Sequence, residues 1–269
     1  MSNFWQRALT GTAFVAVIIL SLVVGYWSFK VLFFLVALLS LLEFYKLISN
    51  ETTSPQKITG IFLGAVVYLN IAPSDVLVLS DHQKIAMIYS ITGLMVILEL
   101  YRRKPFPFHS IAYTIIGVVY VVIPFALLTQ LSVLNTNYDY TLPLGIFLLI
   151  WSNDTFAYLT GIRFGKHRLF ERISPKKSWE GSAGGLIMTL IVAFLLSRIF
   201  EVISQSDWLV TAAIVVVAGT LGDLVESMLK RSVNAKDSGN ILPGHGGLLD
   251  RFDALLLAVP FIYIYLVLL

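Results

Sequence analysis

Long apolar runs recur along the whole chain, and no other feature restricts the fold as strongly. Of the 269 residues, 57% are hydrophobic, and the mean hydropathy is +0.83. Soluble domains contain roughly 45–50% apolar residues, whereas a helix of about 20 apolar residues can cross a bilayer. The sequence therefore predicts an all-α, polytopic transmembrane helical bundle. The same hydropathy excludes a soluble or nucleic-acid-binding protein.

About nine transmembrane spans are predicted when the apolar runs are compared with this length. Residues 1–269 then form a single integral membrane domain, with N-terminal spans in about 1–140 and spans that carry polar motifs in about 141–269. The first apolar run resembles a signal peptide, but the apolar pattern continues beyond it, so we expect a retained first span. The spans are expected at about 9–28, 30–48, 58–79, 84–101, 111–133, 141–161, 182–203, 208–229 and 250–269.

The basic residues are distributed unevenly between the predicted loops. Sixteen of the 19 Lys and Arg residues fall on the side of the N-terminus and of the loops after the even-numbered spans. Because cytoplasmic loops carry an excess of Lys and Arg, we expect a cytoplasmic N-terminus and a C-terminus on the far side. The compact chain favours a bacterial inner (cell) membrane.

The eighth predicted span ends in polar residues at helical spacing. Asp223, Glu226, Ser227, Lys230 and Arg231 lie at i, i+3, i+4, i+7 and i+8, so they are predicted to share one helix face. Asp223 is about 12 Å deeper than Arg231, where a carboxylate in lipid costs at least about 2.5–3.5 kcal/mol. Asp223 should therefore face a polar cavity, a cation or a metal. An ion pair that only holds helices together is the alternative.

The segment from Lys230 to Asp253 concentrates charge between two apolar runs. It holds seven charged residues, one His and four Gly. Asp250 and Asp253 open the last span, where N-capping by Asp250 would explain only one of the two. The chain has no cysteine, which excludes thiolate metal sites. Together with Asp223, these carboxylates form an oxygen ligand set that suits Mg²⁺ bridged to substrate phosphates.

Basic residues and glycines accompany the carboxylates. Lys230, Arg231 and Lys236 can offset phosphate charge, and the Gly-rich turn at 242–247 can present backbone N–H groups to phosphate oxygens. A flexible linker is the alternative for the turn alone. The combination of carboxylates, cations and glycines is what a nucleoside triphosphate with Mg²⁺ requires.

A second polar loop follows the sixth predicted span. Lys176 and Lys177 could contact phosphate, although ordinary cytoplasmic loop charge explains them equally well. Asn153 and Asp154 could line the same cavity or form a polar helix-packing cluster. The basic residues at 102–104 are instead expected to anchor the protein to lipid headgroups.

These motifs resemble those of a known family. The matching segments are Ser227-Met228-Leu229-Lys230-Arg231, Lys236-Asp237, Leu242-Pro243-Gly244-His245-Gly246-Gly247, Asp250-Arg251-Phe252-Asp253 and the upstream Ser174-Pro175-Lys176-Lys177-Ser178-Trp179-Glu180-Gly181. Together they resemble the signature motifs of the phosphatidate cytidylyltransferases, or CDP-diacylglycerol synthases. The resemblance covers about residues 151–253.

The resemblance implies an integral membrane enzyme that joins CTP and phosphatidic acid into CDP-diacylglycerol and releases pyrophosphate. It implies Mg²⁺ at Asp223 and Asp250, allows a potassium ion (K⁺) beside it, and implies a homodimer. The predicted catalytic residues are Asp223, Lys230, Arg231 and Asp250. The predicted substrate contacts are Asn153, Asp154, Lys176, Lys177, Ser178, Ser227, Lys236, Asp237, His245, Gly246, Gly247, Arg251 and Asp253.

The attacking phosphate is already an anion near neutral pH, so the reaction needs no strong general base. His245 is therefore expected to contact a phosphate or a metal-bound water. Two other functions share some of these features. A CTP-dependent lipid kinase of the dolichol kinase type would transfer the γ-phosphate and leave CDP. A transporter would use Asp154 and Asp223 along its pathway, but the paired broken helices typical of many transporters are not found.

Overall fold

A computed structural model describes residues 3–72, 79–242, 244 and 246–268. Its helices are α1 (Asn3–Val24), α2 (Tyr26–Ile48), α3 (Lys57–Ile71), α4 (Asp81–Arg102), α5 (Pro107–Gly117), α6 (Ile123–Leu131), α7 (Thr141–Phe164), α8 (Trp179–Ile199), α9 (Gln205–Ser232) and α10 (Asp253–Leu268). A π-helix (Val118–Val122) joins α5 to α6, and a 3₁₀ turn (Leu249–Arg251) precedes α10. Strands β1 (Arg168–Phe170) and β2 (Ser174–Ser178) lie between α7 and α8.

The chain is an α-helical integral membrane protein. Among the described residues, six helical segments are long and apolar enough to cross a membrane: Tyr26–Ile48, Asp81–Arg102, Pro107–Leu131, Thr141–Phe164, Trp179–Ile199 and Gln205–Ser232. Three shorter apolar segments overlap the first, third and ninth predicted spans: Ala8–Val24, Lys57–Ile71 and Asp253–Val267. Residues 73–78 of the third predicted span lie outside the described residues. The count of nine spans and the side of the N-terminus therefore stay predictions.

The break between the first two spans lies earlier than predicted. The sequence placed it at residues 28–30, whereas α1 ends at Val24 and α2 begins at Tyr26. Gly25 has a φ of 144°, which L-residues with a side chain rarely adopt. The hydroxyl of Ser28 donates to the carbonyls of Ser21 and Gly25. The reversal depends on a glycine inside an apolar run, which hydropathy alone does not detect.

The loop after α7 contains a short β-hairpin, while the chain as a whole keeps the predicted all-α helical class. β1 and β2 are antiparallel, with Arg168 opposite Ser178 and Phe170 opposite Ser174. The Glu180 carboxylate at the start of α8 accepts the backbone N–H groups of Lys166 and His167. This contact ties the base of the hairpin to α8. Hydropathy gave no sign of the strands because their residues are largely polar.

The predicted span at 111–133 forms, but it contains the π-helix. Pro124 has no N–H to donate to the carbonyl of Tyr120, four residues earlier. The neighbouring N–H of Ile123 instead reaches back to Val118, in the i→i−5 pattern of a π-helix. Proline thus explains why the regular ladder is interrupted at this point.

The basic cluster at 102–104 differs from the expected headgroup anchor. Arg102 Nη1 lies 2.7 Å from the carboxylate of the buried Glu99, and its Nη2 donates to the carbonyl of Ser54. Arg102 therefore connects α4 to the loop before α3. Arg103 and Lys104 are exposed, as a headgroup contact requires.

Aromatic rings fill the centre of the bundle and fix the start of α10. The Phe252 ring is fully enclosed, and four rings from other helices surround it. The centroid distances are 5.5 Å to Phe14, 6.0 Å to Phe33, 5.1 Å to Phe125 and 6.5 Å to Phe147. The segment from Lys230 to Asp253 is called the charged loop below. Phe252 anchors the end of this loop in the core, and Asp250 and Asp253 lie on either side of Phe252 in sequence.

Replacement of Gly145 by Ala is expected to lower the melting temperature (Tm) of the protein in detergent. An added Cβ at Gly145 would overlap the ring of the buried Trp208 on α9, and such overpacking costs about 1–3 kcal/mol. The matched control is Gly93→Ala in α4, where nothing lies within 4 Å of the added Cβ. Thermal unfolding should separate the two variants. Equal Tm values would contradict the close α7–α9 packing.

Candidate active site

A cleft of about 650 Å³ opens between α7, α8, α9 and the hairpin. Six of the predicted site residues line it: Asn153, Asp154, Lys176, Lys177, Ser178 and Asp223. Arg168 from β1, Thr220 from α9, Tyr158 from α7 and Ser182 from α8 add to its polar lining. The cleft therefore joins residues from two sequence motifs about 45 residues apart, with cations and carboxylates on facing walls.

Small residues bring α7 and α8 close enough to form this cleft. An added Cβ at Gly181 would lie 2.8 Å from the carbonyl oxygen of Ala157, and one at Gly185 would lie 2.6 Å from Asn153 Oδ1. Such close approach through small residues is typical of helix packing in membranes. Ser178 is buried and its hydroxyl accepts the N–H of Gly181, so it caps α8 at the rim of the cleft.

Asp223 faces both the polar cleft and a cation, as its depth in the span predicted. Lys177 Nζ lies 2.5 Å from Asp223 Oδ2 and also donates to the carbonyl of Thr220. The hydroxyl of Ser227 donates to Asp223 Oδ1 over 3.2 Å. Lys177 thus connects the hairpin motif to the α9 motif, which the sequence treated as two separate candidates.

A second lysine–carboxylate cluster lies nearer the end of α9. Lys230 Nζ donates to Asp250 Oδ1 over 2.6 Å and lies 3.1 Å from Glu226 Oε1. Glu226 is completely buried. The predicted shared helix face is therefore confirmed for Asp223, Glu226, Ser227 and Lys230.

Arg231 diverges from that face. Its guanidinium is exposed and donates to the carbonyl of Ala235. Eight residues of helix rotate a side chain by about 80° relative to the first, which moves Arg231 to the edge of the face. Lys236 and Asp237 are also exposed. In the described part of the chain, these three residues make no ion pair with Asp223 or Asp250.

Asp250 organises the charged loop instead of capping α10. Its Oδ2 accepts the N–H and the hydroxyl of Ser238 over 2.8 and 2.9 Å, and the N–H of Gly247 over 2.8 Å. Gly246 has a φ of +83°, and an added Cβ there would lie 2.9 Å from the same oxygen. Burial raises the pKa of Asp250, but Lys230 and these loop donors outweigh it and hold the pKa at about 2. Asp250 is therefore ionised at neutral pH.

Five carboxylates form a continuous row from the cleft to the loop. Asp253 interacts electrostatically with Asp223 and Asp154, and Glu226 interacts with Asp253 and Asp250. The cations that face this row are Lys177, Lys230 and Arg251. Carboxylates outnumber these cations, so the row favours additional positive charge.

The donor chemistry of this row fits Mg²⁺. All its donors are oxygens, and the buried Glu226 has an oxygen 3.1 Å from Lys230 Nζ. Among the described residues, no group of three or more Asp, Glu or His side chains is arranged so that it could hold a metal ion by itself. Mg²⁺ commonly takes one or two carboxylates and completes its shell with waters and substrate phosphates. Asp223 and Asp250 as its ligands stay a prediction.

The remaining predicted contacts are placed around this row. Arg251 is exposed and faces Asp154, whereas Asp253 accepts the N–H of Ala254 at the start of α10. The predicted contact His245 lies outside the described residues, as does Pro243.

The sequence interpretation missed several residues of the site. Glu43 on α2 accepts the N–H of Leu249, and Tyr120 of the π-helix interacts electrostatically with Glu226, Asp253 and Asp223. A charged residue within an apolar span is itself a sign of function, so Glu43 could have been found. Tyr120 carries no comparable signal, because aromatic residues are common in such spans.

Comparisons with known proteins show which sequences this chain is similar to. The model of the cytidylyltransferase family matches residues 5–269. The phosphatidate cytidylyltransferase of Bacillus subtilis (strain 168) is 32% identical over 275 residues, which covers 100% of this chain and 99% of that protein. The protein of the same name from Staphylococcus haemolyticus (strain JCSC1435) is 32% identical, with 97% and 99% covered. The one from Staphylococcus aureus (strain COL) is 40% identical, with 61% and 62% covered.

Proposed function

The chain belongs to the cytidylyltransferase family, and we propose that it is a phosphatidate cytidylyltransferase that works at the row of carboxylates between α9 and α10. It joins CTP and phosphatidic acid into CDP-diacylglycerol and pyrophosphate. The observation that carries the placement of the reaction is the pair of lysine–carboxylate contacts, Lys177–Asp223 and Lys230–Asp250. The Lys177–Asp223 contact lies in the polar cleft, and the Lys230–Asp250 contact lies beside the Gly-rich turn at 242–247.

The reaction requires one bond to form and one to break. A phosphate oxygen of phosphatidic acid attacks the α-phosphorus of CTP, and the bond from this phosphorus to the bridging oxygen of the β-phosphate breaks. Pyrophosphate leaves with the electron pair. The nucleophile is already anionic, so the main task of the protein is to bring two anions together and offset their charge.

The lysines are suited to this task because each already holds a carboxylate at the site. Lys177 and Lys230 can turn from Asp223 and Asp250 to phosphate oxygens when the substrates arrive. The carboxylates are then released for a metal ion. Mg²⁺ held by these carboxylates would supply the charge that neutralises and orients the phosphates, and the family resemblance allows K⁺ beside it. We assign Asp223 and Asp250 as the ligands.

We further propose that the site faces the cytoplasm of a bacterial cell and that the enzyme acts as a homodimer in the inner membrane. Support for the cytoplasmic side comes from charge, since the loops that carry the motifs hold most of the basic residues. CTP reaches the cleft from the water-filled side. Phosphatidic acid reaches the same carboxylates laterally from the bilayer.

The position of the transferred label tests this function. Purified protein in detergent, with phosphatidic acid and Mg²⁺, should move label from α-³²P-CTP into the lipid and leave γ-label in pyrophosphate. Label from the γ-position in the lipid would make the protein a lipid kinase. Transfer from neither position would contradict an enzymatic function and favour transport.

A further inference from the structure

Glu43 is a buried carboxylate that α2 contributes to the charged loop, 206 residues away in sequence. Its side chain is 3% exposed, and its Oε2 accepts the N–H of Leu249 over 2.9 Å. Its Oε1 has no hydrogen-bond partner within the described residues. A buried carboxylate is costly unless it is paired, and its partners, the backbone of Leu248 and Leu249 and the side chain of Ser238, all belong to the charged loop. A structural role within the apolar span alone does not explain this arrangement.

The charged loop closes tightly around this carboxylate. An added Cβ at Gly239 would meet three atoms of Glu43, and one at Gly247 would lie 2.7 Å from Glu43 Oε2. Ser238 lies between these glycines in the fold and donates to Asp250. The same short loop therefore contacts two carboxylates, Glu43 from α2 and Asp250 from the turn before α10.

We propose that Glu43 is a positioning residue for the cytidylyl transfer reaction. By holding Leu249, it keeps the loop closed, so that the N–H groups of Ser238 and Gly247 point to Asp250 and fix its carboxylate. Glu43 acts through Asp250 and touches no substrate. The inference rests on the proposed function, since positioning has meaning only for a reaction at Asp250.

The first test compares two substitutions of Glu43. Glu43→Ala leaves the buried N–H of Leu249 without an acceptor, and we expect kcat to fall by about tenfold or more. The Mg²⁺ concentration that gives half-maximal activity should rise, while the KM for phosphatidic acid stays unchanged. Glu43→Gln keeps an oxygen for Leu249 and should restore most of the activity. Equal losses for Gln and Ala, or a change in the lipid KM alone, would overturn the proposal.

A second readout does not depend on activity. The chain has no cysteine, and Leu248 is 6% exposed, so Leu248→Cys provides a single buried reporter in the loop. Maleimide should label it slowly in the otherwise unchanged protein and about tenfold faster or more beside Glu43→Ala. An unchanged labelling rate would show that Glu43 does not hold the loop.

Second-site suppression tests the contact itself. Gly239→Ala should lower activity, because its Cβ would overlap Glu43, and the double variant Glu43→Ala/Gly239→Ala should be no worse than Glu43→Ala alone. Gly247→Ala is the matched control, since its Cβ would still meet Ser238 and Gly239 after Glu43 is removed. It should remain harmful in both backgrounds. Additive losses for Gly239→Ala would overturn the proposal.

Glu99→Gln controls for the loss of any buried carboxylate. Glu99 is 4% exposed and pairs with Gln56 and Arg102, away from the charged loop. Its substitution should leave the labelling of Leu248→Cys unchanged. If the protein transferred no cytidylyl group at all, the proposed function would fail, but the labelling result would still report whether Glu43 closes the loop.

Discussion

Asp250→Asn is expected to reduce cytidylyl transfer by about 10²–10³-fold in kcat or more. Both oxygens of Asp250 are in use: Oδ1 accepts from Lys230, and Oδ2 accepts three donors from Ser238 and Gly247. An asparagine offers one oxygen instead of two. Its NH₂ group would therefore face either Lys230 or the donors of Ser238 and Gly247. It also removes a charge that the site needs for a metal. The measurement is kcat with α-labelled CTP.

The loop should open in the same variant. Maleimide labelling of Leu248→Cys is expected to accelerate in the Asp250→Asn background, while the protein remains in the membrane fraction and monodisperse in detergent. Lys46→Gln serves as the control, because Lys46 is an exposed residue of α2 that contributes to the positive charge of its loop. It should leave both activity and labelling unchanged. Normal turnover by Asp250→Asn would refute its assignment as a metal ligand.

Asp223→Asn is expected to lower kcat by a similar factor, about 10²–10³-fold, with a different structural signature. Its side chain is 34% exposed to the cleft and bonds only to Lys177 and Ser227 among the described residues. The loop and its Leu248→Cys labelling should therefore stay as they are. The Tm should change little, because an ion pair that is partly exposed to solvent contributes little to stability. Activity and thermal unfolding on the same preparation check both expectations.

The alternative for Asp223 is an ion pair that only holds helices together. In that case, Asp223→Asn should lower the Tm together with activity, and the double variant Asp223→Asn/Lys177→Gln should recover both. If Asp223 has a role in the reaction, the double variant should remain inactive. Recovery of activity in the double variant would contradict the assignment of Asp223 as a metal ligand.

The site was predictable where its residues lie close in sequence. The contacts Asp223–Ser227 and Glu226–Lys230 follow from i, i+4 spacing on one helix. Arg231 shows the limit of that reasoning, since it follows the same face by spacing but turns away to the carbonyl of Ala235. Asp250 was expected to cap α10 or bind a metal, and its four bonds to the loop and Lys230 were not foreseen.

The sequence alone determined the helical membrane bundle, because every backbone group inside a bilayer must be paired within its own segment, and apolar length then decides where helices form. It also determined the chemistry of the site, since oxygen ligands, lysines and glycines are residue types that can be read directly. Only the tertiary structure decided the partners. Lys177 meets Asp223, and Glu43 meets Leu249, through the packing of helices that are distant in the chain. Such pairings depend on how whole helices fit against each other, which no local pattern of residues records.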